Sequence, residues 1–171
     1  MTSPFFVTYL IIGVTILISY IGFSNPALFE RLKHSPYQEA NSGEYERLLT
    51  SGFLHGSWLH LGINMFVFYS FGRNVEASLT GYIAEIAPYA FDEWLGHVVF
   101  LLLYLATIVL ANLYTLRTRA DQPHYGAIGA SGAVSGVVFC SVLFYPWDNI
   151  YLYGLIAIPA ILAGVAYLAY S

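Results

Sequence analysis

Ser131 stands in the stretch GAIGASGAVSG, between Gly129-Ala130 and Gly132, at the head of a long uncharged run. Upstream, HLGINMF sets His60 and Asn64 four residues apart. A serine in the first turn of a helix lies beside backbone N–H groups that lack intrahelical partners and carry partial positive charge. Such a place can hold a developing oxyanion. Residues four apart on a helix share a face, and an imidazole and a carboxamide both donate hydrogen bonds. Two such donors can cradle a tetrahedral oxyanion in acyl transfer. Each motif also has a plainer reading. Taken alone, Gly129, Gly132 and Gly136 read as a small-residue face that lets membrane helices touch. His60 and Asn64 read equally well as a structural pair holding helices together. The combination, a glycine-flanked serine on one span and two donors on another, favours chemistry.

The elements that must position these residues are apolar spans. Of 171 residues, 58% are hydrophobic and only 9% charged, against the ~25% charged residues of a soluble domain. Five spans are expected: Phe5–Phe23, about Gly56–Gly72, Leu95–Leu116, Ile128–Trp147 and Ile150–Tyr170. A bilayer core takes ~20 helical residues, so the second span reads as short. It is also the most polar. Tyr20, Trp58, Trp94, Trp147 and Tyr151 lie near span ends, as interfacial anchors do. Pro159 is expected to kink the fifth span. In the first linker, NPALFERLKH is expected to form an amphipathic helix on the membrane surface. The start MTSPFF has no basic region, so the first span reads as a retained anchor. The fold class is therefore all-α: a polytopic helical bundle, one domain over residues 1–171.

Much chemistry is excluded. Net charge is −4 with no basic cluster, so nucleic acid is not an expected partner. The lone Cys140 cannot form an internal disulfide. HGSWLH lacks the glutamate of a metalloprotease motif, and neither a metal nor a cofactor is expected. Asp92, Asp121 and Asp148 fall in linkers or at span ends, against an aspartyl pair. Lys33, the only lysine, is far in sequence from Ser131. GASGA is not the elbow of soluble hydrolases, because its second glycine directly follows the serine.

HGSWLHLGINMFVFYSFGRNVE followed by GASGAVSG resembles the rhomboid intramembrane serine proteases. The matching elements are His55, His60, Asn64, the Gly72…Glu76 pair closing the second span, and Gly129-Ala130-Ser131-Gly132. The resemblance implies a six-helix core of which this chain carries five transmembrane helices. It implies Ser131 as nucleophile, with His60, Asn64 and the Ser131 N–H forming the oxyanion hole. His55 becomes a supporting residue near the mouth of the site, beside Gly129 and Gly132. The implied substrates are single-pass transmembrane proteins, cut near the membrane surface by a Ser–His dyad without metal or cofactor. Water would enter by a cavity open to the side opposite the cytoplasm.

The chain departs from that pattern. The family carries its catalytic histidine on a sixth helix, and only Ser171 follows Tyr170. The chain is therefore expected to be C-terminally incomplete, and to lack appreciable activity as it stands, because a serine needs an adjacent base. His97 reads as a packing histidine rather than a replacement. One turn after the serine stands Ser135, where many relatives have an aromatic, and the Trp-Arg pair of the first linker is absent. The resemblance puts the first and third linkers outside, although they hold Arg31, Lys33, Arg47, Arg117 and Arg119, which the positive-inside rule would place inside. The alternative is a catalytically dead rhomboid-like protein that binds membrane helices. A transporter has little support, with no matched broken spans and no intramembrane carboxylate. A bacterial inner membrane is the default location.

Overall fold

The computed structural model describes residues 5–86, 94–152, 156–163 and 165. Three long helices carry the fold: α1 (Phe6–Ser24), α5 (Trp58–Ile86) and α6 (Trp94–Thr118). A shorter one, α7 (Ser131–Phe144), packs on α5 and α6. Between α1 and α5 run three short helices, α2 (Pro26–Leu32), α3 (Pro36–Ser42) and α4 (Arg47–Thr50), followed by a 3₁₀ turn over Ser51–Phe53. A hairpin of β1 (Asn149–Leu152) and β2 (Ile156–Pro159) follows α7, with Asn149 opposite Pro159 and Ile150 opposite Ile158.

Among the described residues two helices, α1 and α6, are long and apolar enough to cross a membrane, with mean hydropathies of 2.1 and 2.2. The alternating directions of α1, α5, α6 and α7 bring the linker 25–57 and the loop 119–130 to one end of the bundle. A two-way backbone bridge joins them there: His34 N–H donates to the Ala127 carbonyl and Ala127 N–H to the His34 carbonyl, both at 3.1 Å. The core lies where the four helices meet, around Phe68, Val75, Phe100, Tyr104, Ile108 and Val137.

The first and third spans match α1 and α6 within two residues, and NPALFERLKH holds α2. Asn25 starts that helix by accepting the Leu28 N–H at 3.0 Å, with Pro26 at its first position, where the missing donor costs nothing. Three expectations need correction. The second span does not close at Gly72 or Glu76: α5 continues to Ile86, so residues 73–86 are helix rather than linker. The polar side chains there hid this, because Arg73, Glu76 and Glu85 break the hydropathy of a span while remaining good helix formers. The fifth span is not one helix, since β1 and β2 occupy much of its first half. The β-branched Ile150, Ile156 and Ile158 suit a strand, and Pro159 sits at the strand end, where its missing N–H is tolerated. A helical turn follows at 160–163, and apart from 165 the remainder of that span lies outside the described residues.

The third correction concerns Glu76. It lies inside α5 and is fully buried, so a carboxylate does stand within the bundle. It faces the first turn of α1, whose N–H groups have no partners of their own. Its Oε1 accepts the Val7 N–H at 2.9 Å, and its Oε2 accepts the Thr8 N–H at 2.9 Å and the Thr8 hydroxyl at 2.6 Å. From α6, His97 Nδ1 donates to Oε1 at 2.5 Å. One side chain thus caps α1 and ties it to α5 and α6. His97 is a buried structural partner, as the packing reading has it.

Candidate active site

Ser131 is the first residue of α7, preceded by Ala130 as N-cap. The first intrahelical bond is Val134 N–H to the Ala130 carbonyl at 2.8 Å, so the N–H groups of Ser131, Gly132 and Ala133 precede the helical ladder. The serine side of this turn is exposed.

The turn is shaped by Gly129, whose φ of +114° is a conformation that L side chains rarely adopt. A Cβ there would also lie 2.8 Å from His60 Cε1 and 3.1 Å from His60 Nε2. The imidazole of His60 therefore rests against the backbone two residues before Ser131, in space that only glycine leaves. The Gly129 N–H donates to the Ser51 carbonyl at 3.0 Å, which anchors the turn to the 3₁₀ segment. Gly132 and Gly136 do something different. A Cβ on Gly132 would meet the Ala111 Cβ at 2.5 Å, and one on Gly136 the Thr107 Cγ2 at 2.7 Å. These two glycines let α7 lie directly on α6. The motif divides: Gly129 serves the turn and His60, while Gly132 and Gly136 serve packing.

Asn64 is buried on α5, and its Nδ2 donates to the His60 carbonyl at 2.9 Å. That bond uses one of the two carboxamide protons. His60 and Asn64 thus stand on consecutive turns of α5, the helix against which α7 packs.

His55 is fully buried just before α5. The Ser19 hydroxyl, from α1, donates to the Phe53 carbonyl at 2.9 Å and lies 3.0 Å from His55 Nδ1. Since the hydroxyl proton is spent on Phe53, the Ser19 oxygen accepts from Nδ1–H. His55 Nε2 then carries a lone pair and receives the Ala130 N–H at 3.4 Å. The ring is neutral by this count. Burial chiefly, and His60 beside it secondarily, push its pKa down from 6.5 to about 4. The His55 and His60 ring centroids lie 4.9 Å apart, edge to face. Ser19 was not read as a site residue from the sequence. Its signal was the spacing of Thr8, Thr15 and Ser19 in an apolar span, all three completely buried on one stripe of α1.

On the α6 side, Ser131 borders a cavity of about 230 Å³, with Ser51, Asn112 and Thr115 among its lining residues. A polar cavity of this size has room for ordered water. Thr115 leads to a second buried pair: its Oγ1 is 2.7 Å from His34 Nε2, and His34 Nδ1 is 2.6 Å from Glu39 Oε1. Among the described residues no group of three or more histidine, cysteine, aspartate or glutamate side chains is arranged to hold a metal. The structure therefore brings His60 and His55 to the turn at Gly129–Ala130 that precedes Ser131, while Ser131 and Gly132 border the cavity on the α6 side and Asn64 is tied to the His60 carbonyl one turn further along α5.

Over 115 residues the chain is 33% identical to Rhomboid-like protein 11, chloroplastic, of Arabidopsis thaliana, a match covering 67% of this chain and 35% of that protein. The chain thus spans about a third of the length of this curated relative. No solved structure matches. The Rhomboid domain model matches residues 42–171, which include every element of the site except Ser19. The chain belongs to the rhomboid family.

Proposed function

We propose that this protein is an intramembrane serine endopeptidase that cuts single-pass transmembrane proteins near the membrane surface. The observation that carries this reading is the approach of His60 to Gly129, two residues before a serine that begins a helix. In the proposed reaction Ser131 Oγ attacks the scissile carbonyl carbon as a general base takes its proton; the base then gives that proton to the leaving amine as the C–N bond breaks, which leaves an acyl-enzyme. The carbonyl oxygen becomes an oxyanion and takes hydrogen bonds from the Ser131 N–H, the His60 imidazole and the Asn64 carboxamide. Gly129 keeps its side of the turn open to His60, and His55 fixes the Ala130 peptide plane. The hydrated cavity beside Ser131 supplies the water that releases the acyl group.

Helix length supports the depth of the cut. The 14 residues of α7 span about 21 Å at 1.5 Å per residue, against a hydrocarbon core of about 30 Å. A helix that short, ending at the far interface, starts below the near one. We place the protein in a bacterial plasma membrane, whereas its Arabidopsis relative is chloroplastic by name.

None of the three buried histidines is free to act as the base. His34 and His97 are each bound to a glutamate, and His55 is held between Ser19 and Ala130. The reading therefore requires a base other than these three. That same commitment of the buried histidines favours the second reading, a catalytically dead protein that binds membrane helices.

One experiment separates them. The full-length protein is expected to take a fluorophosphonate label and to cleave a model transmembrane substrate. Ser131→Ala should abolish both while leaving thermal unfolding unchanged, and residues 1–171 alone should leave the substrate uncut. Labelling that persists in Ser131→Ala assigns the serine to packing. Cleavage by residues 1–171 removes the requirement for an outside base.

A further inference from the structure

We infer that the protein binds the phosphate headgroup of an anionic phospholipid in a polar cavity formed by α2, the start of α3, α4 and the loop 119–130. The cavity has a volume of about 260 Å³, and Arg31, Lys33, Ser35, Gln38, Arg47 and Tyr125 are among its lining residues. It carries three cations against one lining carboxylate, Glu30.

The charges differ in how far they are committed. Lys33 Nζ is 2.6 Å from Glu30 Oε2. Arg47 pairs with Glu44 and donates to the carbonyls of Glu30 and Lys33 at 2.6 and 3.0 Å, so it is structural. Arg31 is exposed and makes no hydrogen bond or ion pair among the described residues. Its guanidinium is a planar fork suited to two phosphate oxygens. Neutral donors surround it. Ser35 is the N-cap of α3 but makes no side-chain capping bond. Gln38 accepts the Ser42 hydroxyl at 3.3 Å through Oε1, which leaves its NH₂ group to donate. The result is a concave set of donors with one uncommitted cation and one cation held only by an exposed carboxylate.

Its height selects a lipid over a free anion. A single residue, Asn25, separates α2 from the end of the apolar helix α1. At the same end Trp58 lies exposed against Phe23 and Tyr20, with ring centroids 4.8 and 6.2 Å away, as an interfacial tryptophan does. Leu17 and Ile21, toward the C-terminal end of the adjoining α1, are exposed apolar side chains that acyl chains can cover. Basic groups at this level attract anionic lipids. The inference is independent of proteolysis.

The test uses full-length protein in a neutral detergent, given equal amounts of phosphatidylglycerol and phosphatidylcholine and examined by native mass spectrometry. One phosphatidylglycerol is expected to be retained in preference. Arg31→Gln with Lys33→Gln should weaken it by about 30-fold, the loss expected for two basic groups at a membrane surface. Arg73→Gln, at a residue stacked on Tyr69 of α5 rather than in this cavity, should leave it unchanged. A double variant with an unaltered melting temperature that retains the lipid within about threefold overturns the inference, as does equal retention of the two lipids. Displacement of phosphatidylglycerol by excess inorganic phosphate or glycerol phosphate assigns the cavity to a free anion and also overturns it.

Discussion

Glu76 gives both carboxylate oxygens to donors: Val7 N–H and His97 Nδ1 on one, Thr8 N–H and hydroxyl on the other. Glu39, at the Ser131 end, is equally buried and also bonded to a histidine, yet its Oε2 has no partner. Its Oε1 takes His34 Nδ1 and the Ser35 N–H. The far end of the bundle is thus locked by a saturated carboxylate on three helices. The end that holds the site is tied by backbone bridges and partly used side chains. A buried carboxylate is stabilised only by donors that reach it, so the two pairs differ in energy despite identical chemistry.

The same isosteric change at both glutamates tests that difference. In Glu76→Gln, whichever oxygen becomes NH₂ faces two donors, and a loss of about 3 kcal/mol or more is expected. In Glu39→Gln the NH₂ can take the place of Oε2, which faces no donor, and the expected loss is about 1 kcal/mol. Denaturant titration in micelles measures both. Equal losses would break the comparison. Below its unfolding temperature, Glu76→Gln should still turn over substrate at close to the normal rate.

Residues at the site end should show the opposite pattern. If the proposed oxyanion hole is right, His60→Ala or Asn64→Ala is expected to lower turnover by ~10- to 1,000-fold, as loss of one oxyanion donor does. Stability should change by less than about 1 kcal/mol for His60, which is only half-buried. Turnover within threefold of normal would return His60 to a purely structural role. A larger effect on KM than on kcat would assign it to binding rather than to the transition state.

The third test is pH. His55 is neutral in the folded protein, with its pKa pushed from 6.5 to about 4. Above pH 6.5 the ring is neutral folded or unfolded, and the group contributes no pH dependence. As pH falls from 6.5 toward 4, the unfolded chain binds a proton that the folded one refuses, and stability declines. Below pH 4 the full penalty of about 3 kcal/mol is in place. His55→Gln, which cannot take up that proton, should flatten this part of the stability profile. A profile unchanged by the substitution would show that His55 does not carry it.

The sequence displayed the residues proposed as nucleophile and donors because their pattern is local: a serine flanked by glycines and two polar residues one helical turn apart. It displayed α1 and α6 because hydropathy is additive along a helix. It hid what depends on partners far along the chain. Nothing near Glu76 announces that it caps α1, since Val7 and Thr8 are reached only through packing. The extension of α5 past Gly72 was concealed by polar residues that a helix accepts. The β-hairpin was concealed because a short apolar run suits a strand or a helix, and Pro159 was read as a kink rather than a strand end. His55 was legible as a site residue, but its partner Ser19 needed the fold.

The smallest effect tests the division of the glycines, the one place where both readings of a single motif hold. At Gly136 an added methyl would lie 2.7 Å from Thr107 Cγ2 and 3.1 Å from its Cβ. Thr107 has little freedom to yield: it is β-branched, and its hydroxyl donates to the Tyr104 carbonyl at 2.8 Å. Gly136→Ala should therefore push α7 from α6 and cost about 1–3 kcal/mol. At Gly13, in the middle of α1, a Cβ meets nothing within 4 Å, so Gly13→Ala should be neutral or stabilise by up to about 1 kcal/mol through helix propensity. If the two substitutions shift the melting temperature alike, close contact between α6 and α7 is not what Gly136 provides. The Gly136 change should also leave fluorophosphonate labelling of Ser131 in place, because the turn at Gly129 is anchored separately, through Ser51 and His60.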